Sequence, residues 1–259
     1  MTADDDSHRF FARLELLVGR QGLARLAASR VTVVGLGAVG SFAAEALARS
    51  GVGALTLVDF DLVGATNINR QLFALSDNLG VPKVKAAAER LRRINPRLEI
   101  TALQKFYHHD TAAEILAGAG DFLIDAIDGV GPKIDLICRC RQLGIPFISA
   151  MGAAGRRQPG AVGFAELEET SGCPLCRVMR KALRRRGIRS GVPVVYSREP
   201  AAVKPRPPAE VDEELREEHQ PRGRRRHIQP SAIFMPGIFG LLAAQYAVDR
   251  LLAGREEKE

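Results

Sequence analysis

Short runs of apolar residues recur along the first 155 residues of this chain, each closed by glycine or an acid, with amphipathic stretches between them. "RVTVVGLG" (30–37) is β-branched and continuous, the pattern of a strand buried on both faces of a parallel sheet. "ALTLVDFD" (54–61), "RLEITAL" (97–103), "DFLIDAID" (121–128) and "IPFISAMGAAG" (145–155) read as the second to fifth strands, the last running into a loop. Helices are predicted between them: 38–50, then 80–95 with Pro82 near its start and Asn95-Pro96 as its stop. A third covers "DTAAEILAG" (110–118), where Thr111 and Glu114 have the spacing of a capping box, and a fourth "KIDLICRCRQLG" (133–144). Strands alternating with helices define an α/β, doubly wound, mostly parallel sheet.

The pattern changes after Gly152. "GAVGFAEL" (160–167) reads as a short antiparallel strand, and a strongly basic helix follows it. Residues 197–229 are rich in Pro, Arg and Glu and read as a loop. From Ile233 to Val248 the chain is uncharged over 16 residues but is interrupted by Pro236, Gly237, Gly240 and Gln245. That run is too short and too broken to span a bilayer and reads as a core helix. The whole is expected to be one domain, with a nucleotide-binding core over 1–152 and a substrate-side extension over 153–259.

The loop between the first strand and first helix is Gly35-Leu36-Gly37-Ala38-Val39-Gly40. Gly35 permits a tight turn, Gly37 lets backbone amides approach a phosphate, and Gly40 lets helix and strand pack closely. The helix N-terminus adds partial positive charge. Asp59, 19 residues past Gly40 at the end of the second strand, can accept hydrogen bonds from a ribose. This makes the fold Rossmann-like and the ligand a nucleotide; NAD, FAD and ATP all remain open. The next segment, "DFDLVGATNINRQLFALSDNLGVPKV", brings Asn67, Asn69, Arg70, Gln71 and Lys83 close behind the acid. The two cations among them, Arg70 and Lys83, suit an enzyme that stabilises charge at the α-phosphate of ATP more than one that holds a dinucleotide. Asp128, at the carboxyl end of the fourth strand, is placed to hold Mg2+.

The motifs "GLGAVG", "LVDFDLVGATNINRQ", "GVPKV" and "DAIDGV" resemble the ubiquitin-activating-enzyme-like adenylating superfamily, the ThiF and MoeB group. The resemblance implies ATP, Mg2+ and transfer of AMP to a carboxylate. It assigns Asp59 to the ribose, with Asp61 beside it, and Asn67, Arg70 and Lys83 to the phosphates. Asp128 would position the metal. Arg13, in "FFARLELL", falls where relatives send an arginine into a partner subunit, which implies a homodimer. Residues 151–188 and "VVYSREPA" resemble one branch, the tRNA threonylcarbamoyladenosine dehydratases. Carrier-activating relatives commonly hold zinc on two CxxC pairs; here there is one, Cys173 and Cys176, with Cys138 and Cys140 two apart, so a four-thiolate site is not expected.

Charge agrees with a tRNA partner. The net charge is +7, and the run from Arg177 to Arg189 has seven basic residues in thirteen without an acid. A second cluster spans Arg222 to His227. Four cysteines give no disulfide framework and the N-terminus has no secretory pattern, so a cytoplasmic location is expected. Three alternatives have distinct features. One is adenylation of a ubiquitin-like carrier's C-terminus. Another is a nucleotide-sensing scaffold that binds a sulfur-transfer protein. The third is an NAD-dependent oxidoreductase.

Overall fold

A computed structural model of the chain describes residues 7–202 and 228–254. One seven-stranded sheet runs through it in the order β3-β2-β1-β4-β5-β7-β6. The strands are β1 Arg30–Val34, β2 Ala54–Val58, β3 Glu99–Leu103, β4 Phe122–Asp125, β5 Phe147–Ala150, β6 Val162–Glu166 and β7 Pro193–Ser197. Every pairing is parallel except β6 with β7. The antiparallel strand expected at 160–167 is therefore present. "PVVYS" is a strand the sequence reading did not assign; it lies parallel to β5 and carries the sheet beyond the expected six.

Eight helices flank the sheet among the described residues: α1 Ser7–Phe10, α2 Ala12–Ala28, α3 Ala38–Arg49, α4 Lys83–Ile94, α5 His109–Ala117, α6 Val130–Leu143, α7 Pro174–Arg184 and α8 Phe234–Ala253. The central parallel strands β1, β2, β4 and β5 are buried on both sides because their two faces feed two apolar clusters, whereas β3 at the edge is largely exposed. Val33, Leu57 and Ile124 pack with α3, α4 and α8. Val34, Val58 and Leu123 pack with α5, α6 and α7. Successive residues of one strand thus go to opposite layers, which explains the unbroken apolar runs.

Two expectations change in detail. The N-cap of α5 is His108, and Thr111 is its third helical residue; the Thr111 hydroxyl accepts from the His108 amide at 2.9 Å. Glu114 pairs instead with Lys105. The basic helix ends at Arg184, and Arg185 to Arg189 turn away through Gly187 at φ 78°. The sequence alone placed a helix over the whole run, because charge does not mark where the buried stripe Cys176, Met179 and Leu183 stops. Most of the 197–229 loop and the cluster from Arg222 to His227 lie outside the described residues.

The interrupted apolar run is α8, which packs along α3. A Cβ on Gly240 would stand 2.3 Å from the carbonyl oxygen of Val39, so the glycine is what lets the two helices approach. Among the described residues no helix is long and apolar enough to cross a membrane.

Candidate nucleotide-binding site

The sheet order reverses direction between β1 and β4, and the carboxyl ends of β1, β2 and β4 meet there. Crevices at such a reversal bind ligands in open α/β sheets. The first wall is the glycine loop. Gly35 has φ 93°, and a Cβ on it would lie 2.7 Å from the carbonyl oxygen of Ala126. A Cβ on Gly40 would lie 1.8 Å from the carbonyl oxygen of Gly35. These glycines therefore press β1, α3 and the loop after β4 together. Around Gly37 the geometry differs: the nearest atom to its Cβ position is Gln71 Nε2 at 4.0 Å. The amino end of α3 consequently faces open space at the point where a phosphate would approach.

The second wall follows β2. Asp59 is buried, with Oδ2 accepting from the Leu36 amide at 2.6 Å and Oδ1 from the Asp61 amide at 2.8 Å. The carboxylate thus ties the glycine loop to its own strand end. Each oxygen retains a second acceptor site for a sugar hydroxyl. Burial pushes the Asp59 carboxyl up from its ordinary value, against the opposing pull of Lys83. Lys83, the first residue of α4, is buried and reaches Asp61 Oδ2 at 3.1 Å. Asn67 is also buried; its Oδ1 accepts from the Gly64 amide at 3.2 Å and shapes the short turn before Arg70. Arg70 donates through Nη1 to the Thr66 carbonyl at 2.7 Å and Asn69 Oδ1 at 2.9 Å, folding over its own loop.

The third wall follows β4, where Asp128 is exposed. Its position depends on residues the sequence reading passed over. Asp125, the last residue of β4, is fully buried and accepts from Lys133 Nζ at 2.8 Å, Ser149 Oγ at 2.6 Å and the Ile127 amide at 3.1 Å. Lys133 also donates to Ser149 Oγ at 3.2 Å and the Ala150 carbonyl at 3.0 Å. This network joins β4, β5 and the first turn of α6 beneath the Asp128 loop. The one available sequence signal was a lysine inside a helix's apolar stripe, four residues from its own β-strand loop.

Gly35, Gly37, Gly40, Asp59, Asp61, Asn67, Arg70, Lys83 and Asp128 thus gather around one end of the sheet. Arg13 does not belong to that group by its element: it lies exposed on α2, which packs against α8. Among the described residues the four cysteines do not form a ligand cluster. The gathering of three potential metal ligands among the described residues is His108, His109 and Asp110 on the surface.

A mostly parallel sheet with a glycine loop, a buried acid at the end of β2 and the cations Arg70 and Lys83 in the segment after it is accompanied by a family match: the chain belongs to the ThiF family, whose pattern matches residues 11–259. It is 41% identical over 252 residues to the tRNA threonylcarbamoyladenosine dehydratase of Bacillus subtilis (strain 168), covering 96% of each chain. The crystal structure of the E. coli tRNA N6-threonylcarbamoyladenosine dehydratase in complex with ATP superposes with a TM-score of 0.86 at 32% identity, covering 100% of both chains. The molybdopterin-synthase adenylyltransferase of Salmonella typhimurium (strain LT2) is 37% identical over 156 residues, 60% of this chain and 61% of that one.

Proposed function

We propose that this protein is an ATP-dependent dehydratase that cyclises threonylcarbamoyladenosine in tRNA. The observation that carries the reading is similarity to dehydratases along the whole chain, 96% of it against the Bacillus relative, where the adenylyltransferase matches 60%. The extension after Gly152, with β6, β7 and α7, belongs to that longer match and supplies the substrate side.

ATP is a substrate of this reaction, and the site fits it. The open space at Gly37 receives phosphate oxygens at the α3 N-terminus, Asp59 accepts from the ribose, and Asn67, Arg70 and Lys83 lie behind the phosphates. The threonyl carboxylate attacks the α-phosphate and pyrophosphate leaves. Arg70 and Lys83 stabilise the negative charge that builds there, which requires each to exchange a present partner for the nucleotide. The carbamoyl group of the same nucleoside then attacks the activated acyl carbon, AMP leaves, and a ring closes with net loss of water. Because that step is intramolecular, positioning suffices and no protein nucleophile is needed. Mg2+, when bound, neutralises phosphate charge; the Asp128 carboxylate is the hard oxygen donor suited to hold it.

The remaining parts follow the same reading. The tRNA lies along α7 and the following turn, where Arg177, Lys181, Arg185, Arg186 and Arg189 are exposed. Arg184 is engaged with Glu168 through Nε at 3.0 Å and contributes less. A homodimer places Arg13 of each copy toward the other's site; α2 supports this by exposing Leu16 (90%) and Leu17 (82%) beside it. The location is the cytoplasm.

The test is incubation with ATP, Mg2+ and tRNA carrying the threonylcarbamoyl group, followed by mass spectrometry of the nucleosides. A product lighter by one water is expected, and a Lys181→Glu, Arg185→Glu, Arg186→Glu variant should keep ATP binding and lose tRNA binding. ATP–pyrophosphate exchange that depends on a small protein ending in Gly-Gly, with no change in the nucleoside, would overturn the assignment in favour of carrier adenylation.

A further inference from the structure

The C-x-x-C pair takes no part in the chemistry above, yet its surroundings are built. Cys173 is the N-cap of α7 and Cys176 lies in its first turn, with Pro174 between them at the first helical position. Both side chains are buried, Cys173 at 3% exposure and Cys176 at 0%. The cover over Cys173 is thin, since Ser171, Gly172 and Pro174 are all exposed. Gly172 is held at φ 74° against the Arg198 carbonyl, which brings the turn down onto the strand end below.

Arg156 reaches this point from the loop after β5. It is 7% exposed. Its Nε donates to the Glu199 carbonyl at 2.9 Å and its Nη1 to the Gly152 carbonyl. Its Nη2 is buried with no hydrogen-bond partner. A buried guanidinium nitrogen left in that state is costly unless an anion stands beside it. Two acidic groups belong to the segments around it: the buried Glu199 carboxylate, which accepts from the Arg157 and Gln158 amides, and the Cys173 thiol. The neighbouring Cys176 thiol, then its amide and Arg156, outweigh burial and pull the Cys173 thiol down to about 5. The Cys176 thiol moves up, because it is the donor in the same pair and is buried. A pair of inert core thiols would need neither the cation nor the helix terminus. Zinc would need further ligands, and among the described residues no cluster supplies them.

We propose that Cys173 and Cys176 form a redox-active dithiol, with Cys173 the attacking thiolate, Cys176 the resolving thiol and a low-molecular-weight disulfide as oxidant. The Cys173 thiolate attacks one sulfur of the disulfide and displaces one thiolate, leaving a mixed disulfide. Cys176 gives up its proton and attacks Cys173 Sγ, which closes the intramolecular disulfide and expels the second thiol. The two protein sulfurs are oxidised by two electrons, and the small disulfide is reduced to one thiol and one thiolate, the Cys176 proton going to the former. A vicinal pair with a stabilised thiolate at a helix N-terminus is the arrangement in which such exchange is fast. Closure removes the negative charge beside Arg156. The guanidinium keeps its bonds to the Gly152 and Glu199 carbonyls but loses that neighbouring charge.

The full-length chain in buffers of reduced and oxidised dithiothreitol tests this without reference to the tRNA reaction. Acid quenching, thiol alkylation and peptide mass spectrometry should find a Cys173–Cys176 disulfide that appears and disappears reversibly with the buffer ratio. The same behaviour is expected of a Cys138→Ser, Cys140→Ser variant. With oxidised glutathione, Cys176→Ser should stop at a mixed disulfide on Cys173. In Arg156→Lys or Arg156→Met the pH midpoint for alkylation of Cys173 should rise, by about one unit or more in the Met variant. A pair that stays reduced at every ratio while the unfolded chain forms the disulfide overturns the proposal. So does pairing with Cys138 or Cys140, and an unmoved midpoint in both Arg156 variants removes Arg156 from it.

Discussion

Replacing Lys133 by methionine isolates the network under the Asp128 loop. Methionine keeps the length of the apolar stem and deletes the ammonium, which donates at 2.8, 3.2 and 3.0 Å to Asp125, Ser149 and Ala150. The side chains of the ion pair are 1% and 0% exposed, so water cannot take over. Removing one partner of such a pair leaves a buried charge uncompensated and costs about 3–5 kcal/mol. In a chain of this size that lowers the melting temperature by on the order of 10 °C. A Lys133→Met, Asp125→Asn double variant removes the stranded charge and should recover most of the loss. Urea unfolding followed by circular dichroism, run on wild type, both singles and the double, gives the coupling directly. Because the Ile127 amide is held by Asp125, the β4 loop should also shift in Lys133→Met. At temperatures where it is still folded, turnover should fall on the order of 10²-fold. The reasoning is refuted if Lys133→Met unfolds within about 0.5 kcal/mol of wild type, or if the double variant is no more stable than the Lys133→Met single.

Two other expectations separate site from scaffold. Gly40→Ala puts a methyl 1.8 Å from the Gly35 carbonyl oxygen and should destroy the fold of the loop, read as loss of both thermal stability and nucleotide binding. Gly37→Ala places its methyl 4.0 Å from the nearest atom and should leave the melting temperature near wild type while abolishing ATP binding by titration calorimetry. Glu45 is nearly buried between Arg90 at 2.6 Å and Arg49 at 2.8 Å. Burial raises its carboxyl, but the hydrogen bonds from Arg90 and Arg49 outweigh it and hold the group below the ordinary 4.5. A lowered folded value means the stabilisation is complete above the unfolded value and is lost as pH falls through the folded one. Glu45→Gln should cost about 1 kcal/mol at pH 7, and its unfolding midpoint should converge with wild type only once the pH has fallen through the lowered folded value.

Much of the architecture was legible in the sequence because parallel strands advertise themselves. A strand buried on both faces is apolar at consecutive positions, as Val33 and Val34 and Phe122 to Ile124 are, and the five expected parallel strands all form. The glycine loop was equally legible, since the requirements at Gly35 and Gly40 are steric and no other residue meets them. β7 escaped notice because a single Pro-Val-Val-Tyr-Ser stretch between two charged segments shows no recurring pattern. The true end of the basic helix was hidden for a related reason: arginine is compatible with both the helix and the turn after it.

Residue type and spacing by themselves determined the strands, the nucleotide loop and the list of polar residues that could serve it, because local sterics and burial period act within a few positions. Which of those residues touch was decided only by the folded sheet. Asp125, Lys133 and Ser149 are 8 and 16 residues apart along the chain yet share one buried network. Arg156 meets the Glu199 carbonyl, 43 residues on, from a different loop. Such pairings depend on strand order, and strand order is a property of how the layers close on each other, which no local stretch of sequence encodes.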